Sequence, residues 1–231
     1  ESTYTNIFLN DGSKKIMSKP IKDVEEQLSS TDFFRVHHSF LVQKKYIKQY
    51  YLVGGTAIAL HIGHRRSIDF DLFTEGKVNT NSLRKQVLSS GLPSDVIYQD
   101  VDQIHFNINK VKLTFYKYPF TIPANIFHEV YFRIPDLPSL AAMKAFALGG
   151  RGKWKDYVDL YFIIKNHFSV QEISAKAKEL FTDVFNPILF NKQLCYFKDI
   201  SFEEQVEFMP GFEVSEEEVK AFLTDAALTG F

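Results

Sequence analysis

The stretch from Tyr51 to Phe73, YLVGGTAIALHIGHRRSIDFDLF, constrains the fold more tightly than any other part of the chain. Tyr51 to Val53 is a short apolar run cut off by Gly54-Gly55, which is how a buried strand ends in a glycine turn. Thr56 is placed to cap a short helix through Ala57, Ile58, Ala59 and Leu60. Ile68 to Phe73 then alternates apolar and acidic side chains, the period of a strand whose two faces meet different surroundings. Strand, turn, helix and strand in that order predict an α/β chain.

The same stretch carries chemistry. Strand geometry puts Asp69 and Asp71 on one face and Ile68, Phe70 and Leu72 on the other. Two carboxylates held a few ångströms apart repel unless a cation lies between them, and Mg²⁺ or Mn²⁺ suits one or two carboxylates plus phosphate oxygens. Upstream, Gly54, Gly55 and Thr56 form a turn whose backbone N–H groups can approach a phosphate at a helix N-terminus. D-x-D alone is also what an exposed strand looks like. Beside a phosphate-binding turn it is the equipment of nucleotidyl transfer from an NTP.

The pattern G-G-T, twelve residues, D-x-D is similar to the first motif of polymerase-β-like nucleotidyltransferases. The fuller string LVGGTAIALHIGHRRSIDFDLF closely resembles the AbiEii family of nucleotidyltransferase toxins, and the likeness extends through IPDLPSLAAMKAFALGGRGKWKDYVDLYFIIK to at least Lys165. In that second string Ser139 to Leu148 reads as a helix with Leu140, Met143 and Ala147 toward the core, and Lys155 to Lys165 as another packed through Val158, Tyr161, Phe162 and Ile163. Asp156 and Asp159 share a face. The resemblance implies that Lys144 contacts the triphosphate with help from Arg151, and that Asp156 or Asp159 orients the lysine or the acceptor; Arg66 is a further nucleotide-binding candidate. The alternative for these charges is a surface salt-bridge lattice between helices.

Polymerase-β-like enzymes add a third carboxylate on a later strand. The candidate here, KVKLTFYK from Lys110 to Lys117, has Thr114 at the inward position and no acid, which leaves Glu129 or Asp136 as substitutes. His61, His64, Arg65 and Arg66 form a basic loop that could meet a nucleotide or an RNA. His61 and His64 are spaced to pair on one helical turn, without the further ligands that zinc requires.

Before Tyr50 the text is different. A strand entering Asp11-Gly12, a return strand at Ile16 to Ser18, a helix presenting Ile21, Val24 and Leu28, and FFRVHHSFLV follow in order. This order resembles the LytTR-type DNA-binding domain, whose segment R-V-H-R-S-[FY]-L-V-N is matched at Arg35, Val36, His37, Ser39, Phe40, Leu41 and Val42, with His38 for Arg and Gln43 for Asn. The resemblance covers part of that fold and marks Arg35, His37, His38 and Ser39 as candidate DNA contacts. The change of pattern near residue 50 has no spacer, as at a fusion or where residues are missing, and an opening Glu in place of Met implies that residues precede it.

Composition excludes other classes. With 45% hydrophobic and 24% charged residues the chain is globular. Its single cysteine, Cys195, forms no internal disulfide and favours a reducing, cytoplasmic setting, and no apolar run is long enough to cross a membrane. The net charge of −1 is a cancellation, since residues 199–231 hold one Lys against nine Asp and Glu. That end reads as a solvated helix, and the Phe-rich stretch before it as core. The expected architecture is therefore an α/β (α+β) chain in three parts. A short β-rich LytTR-like segment spans 1–49. A polymerase-β-like nucleotidyltransferase core with a mixed sheet spans 50–135, and a helical C-terminal half spans 136–231. The expected activity is Mg²⁺-dependent transfer from an NTP to an RNA, such as tRNA, or to a protein. The expected partner is a cognate antitoxin, and the competing expectation is a DNA-binding regulator with an inactive transferase scaffold.

Overall fold

The computed structural model describes residues 5–8, 14–28, 33–37, 40–43, 49–89, 93–128, 132–148, 150 and 152–229. Two short antiparallel pairs come first: β1 (Thr5–Phe8) with β2 (Lys14–Met17), then β3 (Phe33–His37) with β4 (Phe40–Gln43). Between them lies α1 (Ile21–Gln27), of which Val24 is the buried residue. The Asp11-Gly12 turn falls outside the described residues.

The chain divides into two compact units. The first consists of Glu1–Tyr51, Leu72–Tyr118 and Phe127–Arg133. It carries the greater part of a mixed sheet built from β5 (Tyr51–Val53), β6 (Phe70–Thr74), β7 (Ser94–Gln99), β8 (Gln103–Ile108), β9 (Val111–Lys117), β10 (Ile126–His128) and β11 (Phe132–Ile134). The order is β10-β11-β5-β6-β9-β8-β7, with β11 parallel to β5 and β7, β8 and β9 an antiparallel meander. α3 (Thr80–Leu88) packs on β7 and β8. The meander obeys the period of two, since Ile104 and Phe106 of β8 are fully buried and their neighbours are not. Asn109 and Lys110, both with positive φ, make the tight β8–β9 turn. That turn removes Lys110 from the expected strand. Phe73, Tyr116 and Tyr118 add edge-on and tilted ring contacts at 4.9 to 5.9 Å.

The second unit comprises Leu52–Asp71, Pro119–Ile126 and Ile134–Phe231. Its centre is α4 (Leu137–Leu148), which α2 (Gly54–Ile62), α5 (Trp154–Asn166), α6 (Val170–Phe181) and α7 (Pro187–Leu194) contact. One apolar face was expected of α4. Instead Leu140, Ala141, Ala142, Met143, Ala145 and Leu148 are all buried, because a helix surrounded on several sides has no solvent face. Ala147, placed on the core side by its spacing, is only half-buried. Phe146 stacks on Phe181 at 4.4 Å, and Phe120 meets both rings edge-on.

Local signals set the helix starts. Ser169 and Glu172 form a reciprocal capping box on α6, and the Asn186 side chain accepts from Ile188 and Leu189 N–H at the head of α7, with Pro187 as its first residue. α8 (Glu216–Thr229) starts with three glutamates, which favour the positive end of its dipole, and buries Val219, Leu223 and Ala227 against α5 and α7. The acidic end is thus a packed part of this unit and not a freely solvated helix. Among the described residues no helix is long and apolar enough to cross a membrane.

Candidate active site

The second unit gathers the residues singled out around the glycine turn. α2 begins at Gly54, with Val53 as its cap. Gly54 has φ of 72°, and a Cβ there would lie 2.5 Å from Asp71 Oδ2. Only glycine lets the Asp71 carboxylate rest against this backbone. At Gly55 a Cβ would lie 2.2 Å from an Arg65 terminal nitrogen and 3.4 Å from Ser67 Oγ. The turn is therefore flanked by a carboxylate on one side and a guanidinium on the other.

Thr56 does not cap α2. Its hydroxyl donates to the Asp69 carbonyl and shares a 2.9 Å hydrogen bond with the Ser67 hydroxyl. The reason is that the helix starts three residues earlier than its sequence suggests, at Gly54, which puts Thr56 inside the first turn facing the incoming strand. β6 correspondingly begins at Phe70, immediately after Asp69. Thr56 thus fixes the backbone of the first carboxylate while Gly54 admits the second.

Below the turn lies a buried charge network. Asp159 is fully buried and accepts from Arg65 Nε at 2.6 Å, from an Arg65 terminal nitrogen at 3.0 Å and from His64 Nε2 at 2.8 Å. Lys144 Nζ lies 2.9 Å from Asp159 Oδ2 and 2.7 Å from Asp156 Oδ1. The four ionic groups balance, two cations against two carboxylates. Burial would raise the Asp159 carboxyl, but Lys144 and Arg65 together with the hydrogen bonds from His64 and Arg65 hold it well below the usual carboxylate range. Because Asp156 and Asp159 are 0% exposed and Lys144 5%, these residues are no surface lattice. Both aspartates, one helical turn apart on α5, grip the same lysine.

The basic loop is also rearranged relative to its sequence reading. Gly63, with φ of 67°, ends α2 after Ile62, so His61 and His64 do not share a helical turn. His61 Nε2 meets the Pro135 carbonyl at 2.9 Å, and His64 and Arg65 turn inward. Arg66 alone of the four stays well exposed, 3.2 Å from Glu207.

That glutamate belongs to a segment the sequence did not mark. Residues 201–209 run along the rim of the site: Trp154 N–H donates to Ser201 O and Ser201 N–H to Gly152 O at one end, Arg66 N–H to Glu207 O and Met209 N–H to His64 O at the other. Midway, Glu204 contacts both Lys153 and Lys155. Partial burial would raise its carboxyl, yet those two lysines hold it at about 2. Lys155 Nζ is also 3.6 Å from Asp69 Oδ2. Lys155 beside Asp69, Glu204 beside Lys155 and Ser67 beside Thr56 are the contacts that pattern reading missed. Lys155 stands beside Asp156 in the sequence and could have been found there; Glu204 carries no signal beyond its charge.

The remaining candidates fall elsewhere. Thr114 lies on β9, in the other unit, buried and with its hydroxyl unpartnered among the described residues. Asp136 accepts from Ser139 N–H at 2.9 Å through one carboxylate oxygen at the start of α4. Glu129, Arg151, His38 and Ser39 lie outside the described residues, as do the side chains of Arg35 and His37 on β3. Among the described residues no group of three His, Cys, Asp or Glu assembles. Asp71 lies against the Gly54 turn and Asp69 near Lys155, and carboxylate oxygens are the donors that suit a hard divalent cation that keeps other ligands from phosphate and water.

Comparison with known proteins gives the following. Residues 39–126 and 111–227 match the family of the nucleotidyl transferase AbiEii toxin of type IV toxin–antitoxin systems, and residues 1–69 match the LytTr DNA-binding domain. An uncharacterised protein of Aquifex aeolicus is 31% identical over 173 residues, 73% of this chain and 83% of that protein. Among solved structures, one from H. pylori provisionally assigned as a nucleotidyltransferase aligns with a TM-score of 0.51 at 19% identity, over 78% of this chain and 85% of its own. The nucleotidyltransferase toxin MenT4 of Mycobacterium tuberculosis aligns with a TM-score of 0.56 at 14% identity, over 79% and 76%.

Proposed function

Because the chain belongs to the AbiEii nucleotidyl transferase toxin family, we propose that it moves a nucleotidyl group from an NTP to a hydroxyl of an RNA, such as a tRNA, or of a protein, as the toxin of a toxin–antitoxin pair. The observation that carries the mechanism is Gly54, whose missing side chain lets the Asp71 carboxylate lie against the turn at a helix N-terminus. Asp69 and Asp71 would hold Mg²⁺ or Mn²⁺, which when bound would supply charge neutralisation on the triphosphate.

The chain's own residues do the rest. The first backbone N–H groups of α2, which have no partner inside the helix, bind phosphate oxygens at Gly55 and Thr56. Thr56 and Ser67 keep the Asp69 backbone in place. Asp156 and Asp159 are positioning residues that hold Lys144 as a positive group under the turn, and Arg65 ties the turn to the same network. Lys144 and Arg151 are the cations that the family resemblance assigns to the triphosphate, and exposed Arg66 of the basic loop adds a third that can meet the nucleotide. In the reaction the acceptor oxygen bonds to the α-phosphorus, the bond to the bridging oxygen breaks, and pyrophosphate leaves as the hydroxyl gives up its proton.

Incubation with each of the four labelled NTPs, cellular RNA and cellular protein tests this, with the labelled macromolecule as the readout. One class of acceptor should carry label from the native chain and none from Asp71→Asn, which should also relieve any growth inhibition. Equal labelling by Asp71→Asn would refute the mechanism. The LytTr match supports a second, separate reading in which residues 1–49 contact DNA.

A further inference from the structure

Lys155 stands between two carboxylates of different kinds. Its Nζ lies 3.6 Å from Asp69 Oδ2 and directly against Glu204, which Lys153 also reaches. Lys153 is the cap of α5 and Lys155 its second residue. Helix N-termini already present positive charge, so cations in those places are disfavoured and require nearby anions to offset them. Asp156, in the same first turn, is committed to Lys144. Asp69 and Glu204 are the anions that face Lys155.

These two anions differ in what else they do. Asp69 belongs to the carboxylate pair assigned above to a divalent cation, and this inference rests on that assignment. Glu204 belongs to the rim segment 201–209, fastened by backbone hydrogen bonds to Gly152 and Trp154 at one end and to His64 and Arg66 at the other. An ammonium and a divalent cation cannot both sit at full strength on Asp69, because two positive charges a few ångströms apart repel. We infer that Lys155 is an internal counter-ion to Asp69 that moves fully onto Glu204 when a divalent cation takes Asp69. Glu204 thereby sets how readily the site accepts its metal.

The pair is partly exposed, with side-chain accessibility of 19% for Lys155 and 30% for Asp69, so the effect on metal affinity is about two- to fivefold. The test uses the full chain without nucleotide and reads free Mn²⁺ by electron paramagnetic resonance, with far-UV circular dichroism confirming that each variant is folded. Lys155→Met, which keeps the aliphatic stem, should bind Mn²⁺ about two- to fivefold more tightly than the native chain. Glu204→Gln should bind it more weakly by a similar factor, because Lys155 has lost its second position. The double variant should match Lys155→Met, since Glu204 acts through Lys155.

Equal affinity in the native chain and Lys155→Met overturns the inference while leaving the carboxylate pair intact. So does a double variant whose loss from Glu204→Gln is undiminished, because Glu204 would then act through its charge alone. Mn²⁺ binding that Asp71→Asn leaves unchanged overturns the assignment to Asp69 and Asp71, and this inference with it.

Discussion

Asp159→Asn is the most informative perturbation of the buried network, because it removes one charge and almost no volume. In the native chain this carboxylate takes two hydrogen bonds from Arg65, one from His64 and the ammonium of Lys144, at 2.6 to 3.0 Å with no exposure to water. After substitution Asp156 must balance Lys144 and Arg65 alone, and an uncompensated charge stays buried. Breaking a buried pair from one side costs about 3–5 kcal/mol. For a chain of this length each kcal/mol moves the midpoint by about 2–4 °C, so Tm should fall by roughly 6–20 °C. Trp154, the single tryptophan, opens α5, so its fluorescence during urea or thermal unfolding reports on this unit. Asp102→Asn is the control: Asp102 faces Lys117 at 3.6 Å with its side chain 53% exposed, and its loss should cost about 0–1 kcal/mol. The sign with pH is fixed as well. The Asp159 carboxyl is depressed in the fold, so its stabilisation is present above the unfolded value of about 3.9 and disappears as pH falls through the folded value. The gap between native chain and variant should therefore close progressively below about pH 4. An Asp159→Asn chain no less stable than Asp102→Asn at neutral pH would refute the network's role.

Gly54→Ala places a Cβ 2.5 Å from Asp71 Oδ2 on a backbone with φ of 72°. It should cost about 1–2 kcal/mol in urea unfolding from the left-handed conformation alone, and should depress nucleotide labelling by displacing Asp71; full labelling would show that this contact is dispensable. If residues 1–49 bind duplex DNA, filter-binding affinity should fall by orders of magnitude between low and physiological salt. Flat or absent binding would leave that segment without a DNA role.

Much of the transferase architecture was written in short-range pattern. Tyr51 to Val53, Gly54-Gly55 and the alternation through Asp71 place β5, the turn and β6, because a glycine stop and a period of two need no distant partner to be read. The site was legible where its residues cluster in sequence, as Asp69 with Asp71 and Asp156 with Asp159 do. It was not legible where contact depends on tertiary closure. Arg65 and His64 read as a solvent loop, since nothing local announces that Asp159, far downstream, will take them. Ala141, Ala142 and Ala145 read as the outer side of an amphipathic helix, because alanine is equally at home on a surface and in a tight crossing. Glu204 and Glu207 read as members of an acidic tail, and their pairing with Lys153, Lys155 and Arg66 follows only from the course of residues 201–209.

The rim segment also bears on the order in which a growing chain acquires its parts. Asp159, Arg65, His64 and Lys144 all lie at or before α5, so every partner of the buried charges precedes residues 201–209 in the chain. Glu204 and Glu207 are synthesised later and are fastened by Ser201, Glu207 and Met209 onto segments that already exist. A ribosome-bound chain ending before Ser201 thus contains every member of the buried charge network but leaves Lys153, Lys155 and Arg66 without their glutamates. The final character of the cationic rim is decided by residues 201–209, which are translated after the segments they fasten onto.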